Sequence, residues 1–456
     1  MYQSPCRQQG LWAVGRRARH VPADYHDGDR REFMRRHDEE SGQLSSAPRR
    51  QRREFARCFL TRIADARNLN AAVEHLCRDG DKSPGPNGIC LRSLDDRERW
   101  QLCRALGQAI LDGSYRPGPT RTVRIPKSSG SGTRQLTLHN AEDVVVHRAV
   151  VQILQPFLDP QFSEKSFGFR PGLGPEDALL AAAKIAEGQE RWSWVTEDIA
   201  DAFGSVPHVR LLESLHAHDL GEDVIALIAR IIGTRSKSRG LAQGSPLSPL
   251  LLNSYLDRVL DRKWPQVTPD VHLVRYADDI ALFAQIEQSA EARQAQQELQ
   301  RLLIPAGFTL KEGSERSIRN LTTSSTIWLG YELRRRNGAL AANIAPRAWR
   351  QLEAHLKLAQ VKPLAPLRAT ETVHGWLDQR APCLENERRR DVYKKICEAM
   401  RVAGFLEYPS KNELRNTWKR AEERWNKKRD KEYYATTPRS IPASSLIPSA
   451  RNATMA

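Results

Sequence analysis

"HLVRYADDIALFA", residues 272–284, decides how the rest of the chain is read. Two apolar runs flank a break, and the break carries adjacent carboxylates, Asp278 and Asp279. Apolar runs around a short polar break predict a β-hairpin. Two like charges side by side repel, and burying either without a partner is costly. A solvated turn is the plain explanation, because Asp is common in turns. The alternative is a charge pair held at the tip of a core-seeking hairpin to meet something cationic. The stretch alone leaves both open.

Bulk properties narrow the partners. The chain has 456 residues, 40% of them hydrophobic, which is long enough to bury a large core and to form more than one domain. Lys and Arg number 71 against 55 acidic residues, a net charge of +16. Such a surplus suits a polyanion, nucleic acid or an anionic membrane surface, although a solvated basic surface has the same composition. The 7 cysteines are scattered with no C-x-x-C pair, which argues against a zinc site or a disulfide framework and fits a reducing compartment. No apolar run approaches the roughly 18 residues of a membrane span, and the N-terminus has no signal-peptide core. The expectation is a cytoplasmic protein without membrane contact.

Residues 1–57 are polar and Arg-rich ("RREFMRRHDEE", "RRQRREFARC") and read as a flexible basic arm or as helices that order on a partner. Apolar spacing predicts helices between 61 and 112, broken by the loop "DKSPGPNGIC". "TRTVRIPKSSGSGTRQLTL" reads as a hairpin and "EDALLAAAKIAEG" as a helix ending at glycine. "RWSWVTEDIADAF" begins as a strand that ends on Asp198. "SPLSPLLLNSYLDRVLDRK" reads as a helix with Ser248 as N-cap and Pro249 in the first turn. "EQSAEARQAQQELQRLLIPAG" is another helix; residues 340–435 read as mainly helical and basic, and the tail from 436 as disordered.

Strands and helices interleave without a regular βαβ period, which favours α+β with an antiparallel sheet. In such a sheet Asp198 at a strand end and Asp278 and Asp279 at a hairpin turn can meet. Three gathered carboxylates cannot all stay ionised without cations. Hard divalent ions resolve that repulsion; Mg²⁺ fits best, since it takes one or two carboxylates and keeps positions for substrate phosphates. Two such ions about 4 Å apart would clamp the attacking and leaving oxygens of a phosphoryl transfer.

These residues carry a resemblance. "YADD" (276–279) resembles the YxDD box of reverse transcriptases, and the other blocks follow in that family's order. "DIADAF" (198–203) is similar to its first aspartate motif, and "GLAQGSPLSPLLLNSYLDRVLD" (240–261) to the QG-x-x-x-SP-x-L-x-N block of bacterial, group II intron-like members. "IPKSSGSGTRQL" (125–136) resembles their fingers hairpin, "FSEKSFGFRPGLGPEDAL" (162–179) their GFR segment, "KSPGPNGI" (82–89) their upstream loop and "IWLGYEL" (327–333) their primer-grip strand. "GW" (375–376) falls where they carry a thumb motif. The resemblance implies a right-hand polymerase: a basic N-terminal extension (1–60), fingers (61–180), an antiparallel-sheet palm (181–335), a helical thumb (336–405) and a basic C-terminal helix with a disordered tail (406–456).

It also implies roles. Asp198, Asp278 and Asp279 would be catalytic and hold two Mg²⁺ ions, with Mn²⁺ as the alternative; the carbonyl of Ile199 is a further candidate ligand. Lys127 and Arg134 would close over the incoming triphosphate. Phe203 would sit under the sugar and exclude a 2′-hydroxyl, Gln243 and Gly244 would form a close-approach loop beside the nucleotide, and Tyr276 would brace the turn. A solvated basic hairpin and an ordinary core aromatic are the plain alternatives for the cations and for Phe203. Partners would be an RNA template, a primer, deoxynucleoside triphosphates and the cDNA product.

Departures from the family pattern matter. The hairpin between Lys127 and Arg134 is one residue longer than usual, and Asn87 stands where Asp is common. Arg316 aligns with a lysine that protonates the leaving pyrophosphate, yet arginine is always charged. Either Lys311 substitutes or that acid is absent. No nuclease or RNase H signature follows the thumb, so the resemblance points to a free-standing enzyme of the defence-associated "unknown group", copying a structured non-coding RNA. A short group II intron-encoded reverse transcriptase and maturase is the alternative. A non-catalytic RNA-binding scaffold is a third, which the intact acidic set argues against.

Overall fold

The computed structural model describes residues 27–44, 47–79, 85–126, 133–233, 236–285, 289–313 and 315–436, and the chain divides into two compact units, Met1–Leu340 and Ala341–Ala456. The first opens with α1 (Asp27–Gln43), α2 (Arg49–Ala56), α3 (Phe59–Ala64), α4 (Ala66–Asp79) and α5 (Asp96–Leu111). At the start of α5, Asp95 accepts from the Glu98 N–H and Glu98 accepts from the Asp95 N–H, which satisfies donors that a helix start leaves open. The hairpin of β1 (Arg121–Pro126) and β2 (Thr133–Leu138) follows, then α6 (Ala141–Leu158). Val145, Val146, Ala149, Val150, Ile153 and Leu154 of α6 are fully buried, and α3, α4 and α5 pack around them.

The expectation for residues 1–57 needs correction where they are described. Helix α1 packs on α4 and α6 of its own chain rather than waiting for a partner. The reason is an apolar seam inside a basic sequence. Phe55 meets Phe59 edge-on at 5.3 Å, Phe59 meets Phe157 of α6 at 5.0 Å, and His37 stacks on Phe55 while bonding the Ile153 carbonyl at 2.8 Å. Arg62 caps that seam, its guanidinium 4.6 Å over the Phe55 ring and 2.8 Å from His37 Nδ1.

Helix α7 (Pro175–Gly188) ends at its glycine and leads into β3 (Ser193–Ala200). Then come α8 (Ala202–Ser205), α9 (His208–Ala217), α10 (Glu222–Ile232), α11 (Ser248–Leu256) and α12 (Trp264–Val267). The hairpin of β4 (His272–Tyr276) and β5 (Asp279–Ala284) is followed by α13 (Ser289–Leu303), β6 (Thr309–Leu310) and β7 (Ile318–Asn320). These strands form one antiparallel sheet with β3 at its centre: β5 pairs one edge of β3, and β6 and β7 share the other. This is the α+β arrangement that the interleaved pattern predicts. Ser248 is not the N-cap of α11 but its first residue, and its hydroxyl donates to the Ala242 carbonyl at 2.8 Å. Past Leu256 the helix widens into a π-turn, Asp257–Asp261, which turns Asp257 and Asp261 into the interior.

"IWLGYEL" is two strands rather than one. β8 (Thr326–Trp328) and β9 (Tyr331–Arg336) pair through a two-residue turn whose Leu329 and Gly330 both have positive φ, 52° and 83°. That turn matches the twist of paired strands, which is why it closes the hairpin so tightly. β10 (Ala339–Ile344) leads into the second unit, which holds α14 (Pro346–Gln360), α15 (Ala365–Asp378), α16 (Arg389–Val402) and α17 (Lys411–Thr436). The expected thumb and C-terminal helix are continuous there, because α17 packs on α15 and His374 bonds Thr417 at 2.7 Å. Trp376 of the "GW" pair is buried, and its indole N–H donates to the Ala348 carbonyl. Residues 437–456 lie outside the described residues.

Candidate active site

The central strand and the hairpin bring the aspartates together. Asp198 lies opposite Asp279 in the β3–β5 register, and the Ile199 N–H donates to the Asp278 carbonyl at 3.1 Å. Burial pushes the Asp278 carboxyl above the usual carboxylate range, and the charge of Asp198 pushes it further. The ammonium of Lys311 pairs with the Asp198 carboxylate, while the Lys311 N–H donates to the Asp198 carbonyl at 2.9 Å. Lys311 thus reaches the acidic pair, and Arg316 is exposed in the short helix Glu315–Ser317. Among the described residues no three His, Cys, Asp or Glu side chains are close enough to enclose an ion by themselves. Two apposed carboxylates, one of them raised by its neighbour, nonetheless fit an oxygen-preferring divalent cation that takes its other ligands from phosphate and water.

The turn that carries Asp278 is strained and heavily supported. Ala277 has φ 59°, a left-handed conformation that costs a residue with a Cβ about 1 kcal/mol. Arg275, fully buried, donates to the Ala277 carbonyl at 2.9 Å, to Asp261 at 2.9 and 2.5 Å, to Asn253 at 3.0 Å and to Ser166 at 2.7 Å. Asn253 in turn donates to the Gly168 carbonyl. Gly168 is required: a Cβ there would stand 2.2 Å from the Ala277 nitrogen. The GFR segment and the asparagine of the QG block therefore converge behind "YADD" as its buried polar support. Sequence reading passed over Arg275 and Asp261, because a charged residue in an apolar strand carries no sign of what it will meet.

A second support holds Lys311 in place. Glu197, buried on the opposite face of β3, accepts from Gln296 and Ser317 at 2.6 Å and from the Gly313 N–H at 3.2 Å. Those bonds tie the segment after β6 to the strand that bears Asp198.

The nucleotide-side residues are less closely gathered. Lys127 lies outside the described residues. Arg134 is exposed on β2 opposite Ile125. Phe203 is half-buried on α8, 5.9 Å and edge-on from the exposed ring of Phe169. The Gln243 carbonyl accepts from the Thr137 N–H at 2.6 Å, and Gly244, at φ 119°, would place a Cβ 2.4 Å from the Thr137 oxygen. The close approach that Gly244 permits is thus to β2. Tyr276 is half-buried, its phenol pushed up by burial and by Asp279. Asn87 donates to both oxygens of Glu142 at 2.7 and 2.8 Å, a pairing that the commoner aspartate would turn into repulsion.

Asp198 thus stands within the central strand, two residues before its end, and faces the hairpin turn that carries Asp278 and Asp279. Comparison with known proteins gives the family. Residues 125–333 match the family described as reverse transcriptase (RNA-dependent DNA polymerase). Protein YkfC of Escherichia coli is 30% identical over 198 residues, 41% of this chain and 51% of that protein. Group II intron-encoded protein LtrA of Lactococcus lactis subsp. cremoris is 30% identical over 182 residues, 36% of this chain and 30% of that protein. A putative COX1/OXI3 intron 2 protein of Saccharomyces cerevisiae is 26% identical, covering 44% of this chain and 24% of that protein. Among solved structures, a chain titled "Partial Cas6-RT-Cas1--Cas2 complex" matches at 20% identity and TM-score 0.32, over 53% of this chain and 42% of that one. Residues 125–333 are thus similar to a reverse-transcriptase domain, and the relatives include proteins named as group II intron-encoded. The chain spans about half or less of the length of these three relatives.

Proposed function

We propose that the protein is an RNA-directed DNA polymerase that extends a primer along an RNA template with deoxynucleoside triphosphates. The observation that carries this reading is the meeting of Asp198 with Asp278 on a reverse-transcriptase domain. In it Asp198 and Asp278 hold the divalent metal, with Asp279 at the edge of the acidic group. Magnesium ions, when bound, supply Lewis-acid stabilisation of the charge that develops on the transferring phosphoryl group. The chain's own residues do the rest. Arg275 and Asn253 fix the turn, Lys311 offsets the charge of Asp198, and Arg134 with Lys127 receives the triphosphate. Phe203 faces the sugar. An RNA-binding scaffold without catalysis would have no use for a strained turn that presents a raised carboxylate.

The test is a primer-extension assay. Asp278→Asn with Asp279→Asn should abolish metal-dependent DNA synthesis and leave RNA affinity near that of the unmodified protein. Substantial residual extension would remove the aspartates from the reaction. The basic surface implied by a net charge of +16 supports RNA as template, through phosphate contacts.

Within that reading the template is a structured non-coding RNA, and antiphage defence is the use the sequence resemblance suggests. The relatives named as intron proteins favour a second reading, action on a group II intron RNA. Sequencing the nucleic acids that co-purify from the native host separates them: a non-coding RNA with its complementary DNA supports the first, intron RNA the second. A plating assay with and without the gene tests defence.

A further inference from the structure

Seven of the thirteen exposed large apolar side chains among the described residues belong to the second unit, although that unit is much the shorter of the two. All seven fall at one end of its helices. Leu358 and Val361 stand at the close of α14, and Leu364 and Leu367 at the opening of α15. Gln360 donates to the Gly404 carbonyl at 3.4 Å, which sets the close of α14 against the close of α16. Val402 and Leu406 flank Gly404, and Tyr408 follows. Val361 is 81% exposed, Leu364 71% and Leu406 91%. Contiguous apolar surface with a polar border marks a place where another molecule sits.

The connection between α14 and α15 holds its part of the patch rigid. The rings of Pro363 and Pro366 fix the backbone there, and Arg368 Nε donates to the Pro363 carbonyl at 2.9 Å. Leu364 has φ 57°, a left-handed conformation that glycine or asparagine would take with less strain. A leucine held there with most of its side chain in solvent gains little from its own chain. The border is basic. Lys357, Lys362 and Arg368 are exposed between the apolar residues, and none is paired with a carboxylate among the described residues. Lys411 adds a cation at the start of α17. Of the acids on these stretches, Glu398 pairs with Arg401 and Glu413 caps α17, which leaves Glu371 and Glu407.

We propose that this end of the second unit is a docking surface for a partner protein, which lays on it an apolar helix face bordered by Asp and Glu. Such a helix meets apolar relief with anchors at i, i+3, i+4 and i+7, and the border cations give its acids their partners. Nucleic acid fits the patch poorly, because bases stack on aromatic rings and six of the seven side chains are aliphatic. A fluid bilayer gains nothing from a connection fixed by two prolines and a strained leucine. A shaped partner does, since it binds a surface that is already ordered. A second copy of the chain would bring the same basic border against itself.

The experiment uses the full chain and a fluorescein-labelled designed helix with leucines on one face bordered by glutamates, beside the same helix bordered by lysines. Anisotropy should show the glutamate helix binding about tenfold more tightly, the order of one close charge pair. Leu364→Gly with Leu406→Ser should weaken it by about tenfold or more, as expected when buried leucine contacts are lost. Leu364→Gly alone should melt no lower than the unmodified protein, since glycine relieves the left-handed backbone. A clear drop in Tm would make Leu364 a packing residue and overturn the proposal. Lys357→Glu, Lys362→Glu and Arg368→Glu together should reverse the order of the two helices. A preference for the glutamate helix that survives the reversal comes from the net charge of +16 alone and would also overturn it. Binding to phosphatidylserine vesicles or to a single-stranded RNA that the leucine variant loses would overturn it in favour of lipid or nucleic acid. A sedimentation coefficient that rises with concentration only in the unmodified protein would do so in favour of a second copy.

Discussion

Arg275 shows how much of a catalytic turn is held by a residue that never reaches the substrate. Its guanidinium is fully buried and meets Asp261, Asn253, Ser166 and the Ala277 carbonyl. Replacing it with methionine fills the space but strands the Asp261 carboxylate, a kind of change that costs about 3–5 kcal/mol. Arg275→Met should therefore lower the unfolding free energy in denaturant by that order, and Arg275→Met with Asp261→Leu should recover a good part of it. A single mutant within ~1 kcal/mol of the unmodified protein would mean the pair is not the support it resembles. Phe203 sits at the opposite extreme, half-buried against an exposed Phe169. Phe203→Ala should raise ribonucleotide incorporation relative to deoxynucleotide on one template, since shape alone excludes the 2′-hydroxyl. Unchanged discrimination would make it a packing residue. At this scale the aspartates were legible through the order of the blocks around them, since carboxylates at a hairpin tip alone fit a solvated turn as well. Arg275 and Glu197 were not, because only their neighbours in space give them meaning.

Elements were legible where one period dominates. The β1–β2 hairpin, α7, β3 and the "YADD" hairpin all follow their apolar spacing. The N-terminal helices did not, because a few aromatic residues outweigh a charge-rich composition. Helix α2 adds a polar clasp to that seam: Arg49 and Arg53 donate to Asp219 at 2.7 and 2.8 Å, with Arg52 at 3.5 Å. Burial alone would raise the Asp219 carboxyl, but Arg53 and Arg49 outweigh it and hold it below the usual range. Removing residues 1–57 would thus expose Phe59 and Phe157 and leave a carboxylate with only 1% of its side chain exposed without its cations. The truncated protein should melt at least about 5 °C lower, the shift expected for a loss of a few kcal/mol in a large unit. It should also lose extension on every template, because α1 packs on α4 and α6 of the same core. A truncation that melts with the full chain and keeps its extension would return this segment to the status of a dispensable basic arm.

Across the whole molecule, charge and burial set opposite responses to solvent. The net charge of +16 makes any RNA affinity fall steeply with salt; about six phosphate contacts would cost roughly 10³-fold between 50 and 200 mM. Stability responds instead to pH, through histidines packed where a proton is unwelcome. Burial lowers His37, His139, His147 and His218 below the ordinary histidine value, His147 to about 3. In the unfolded chain these rings take up protons below about pH 6.5. The folded chain refuses them, so it is fully stabilised above that pH and loses about 1.4 kcal/mol per histidine per unit as pH falls toward the folded values. Asp143 and Asp278, raised by burial, act in the opposite sense, since the folded chain holds their protons more tightly and gains stability as pH falls. The net slope therefore mixes the two, and a difference isolates the histidine part. His147→Gln keeps a polar side chain next to Ser245 but cannot titrate. Denaturant unfolding of the variant and the unmodified protein should give a constant gap above pH 7. The gap should close in the variant's favour by about one kcal/mol per unit between pH 6 and 5. A gap that stays constant down to pH 5 would mean that His147 takes its proton in the folded state, and that its surroundings are open to water rather than dry.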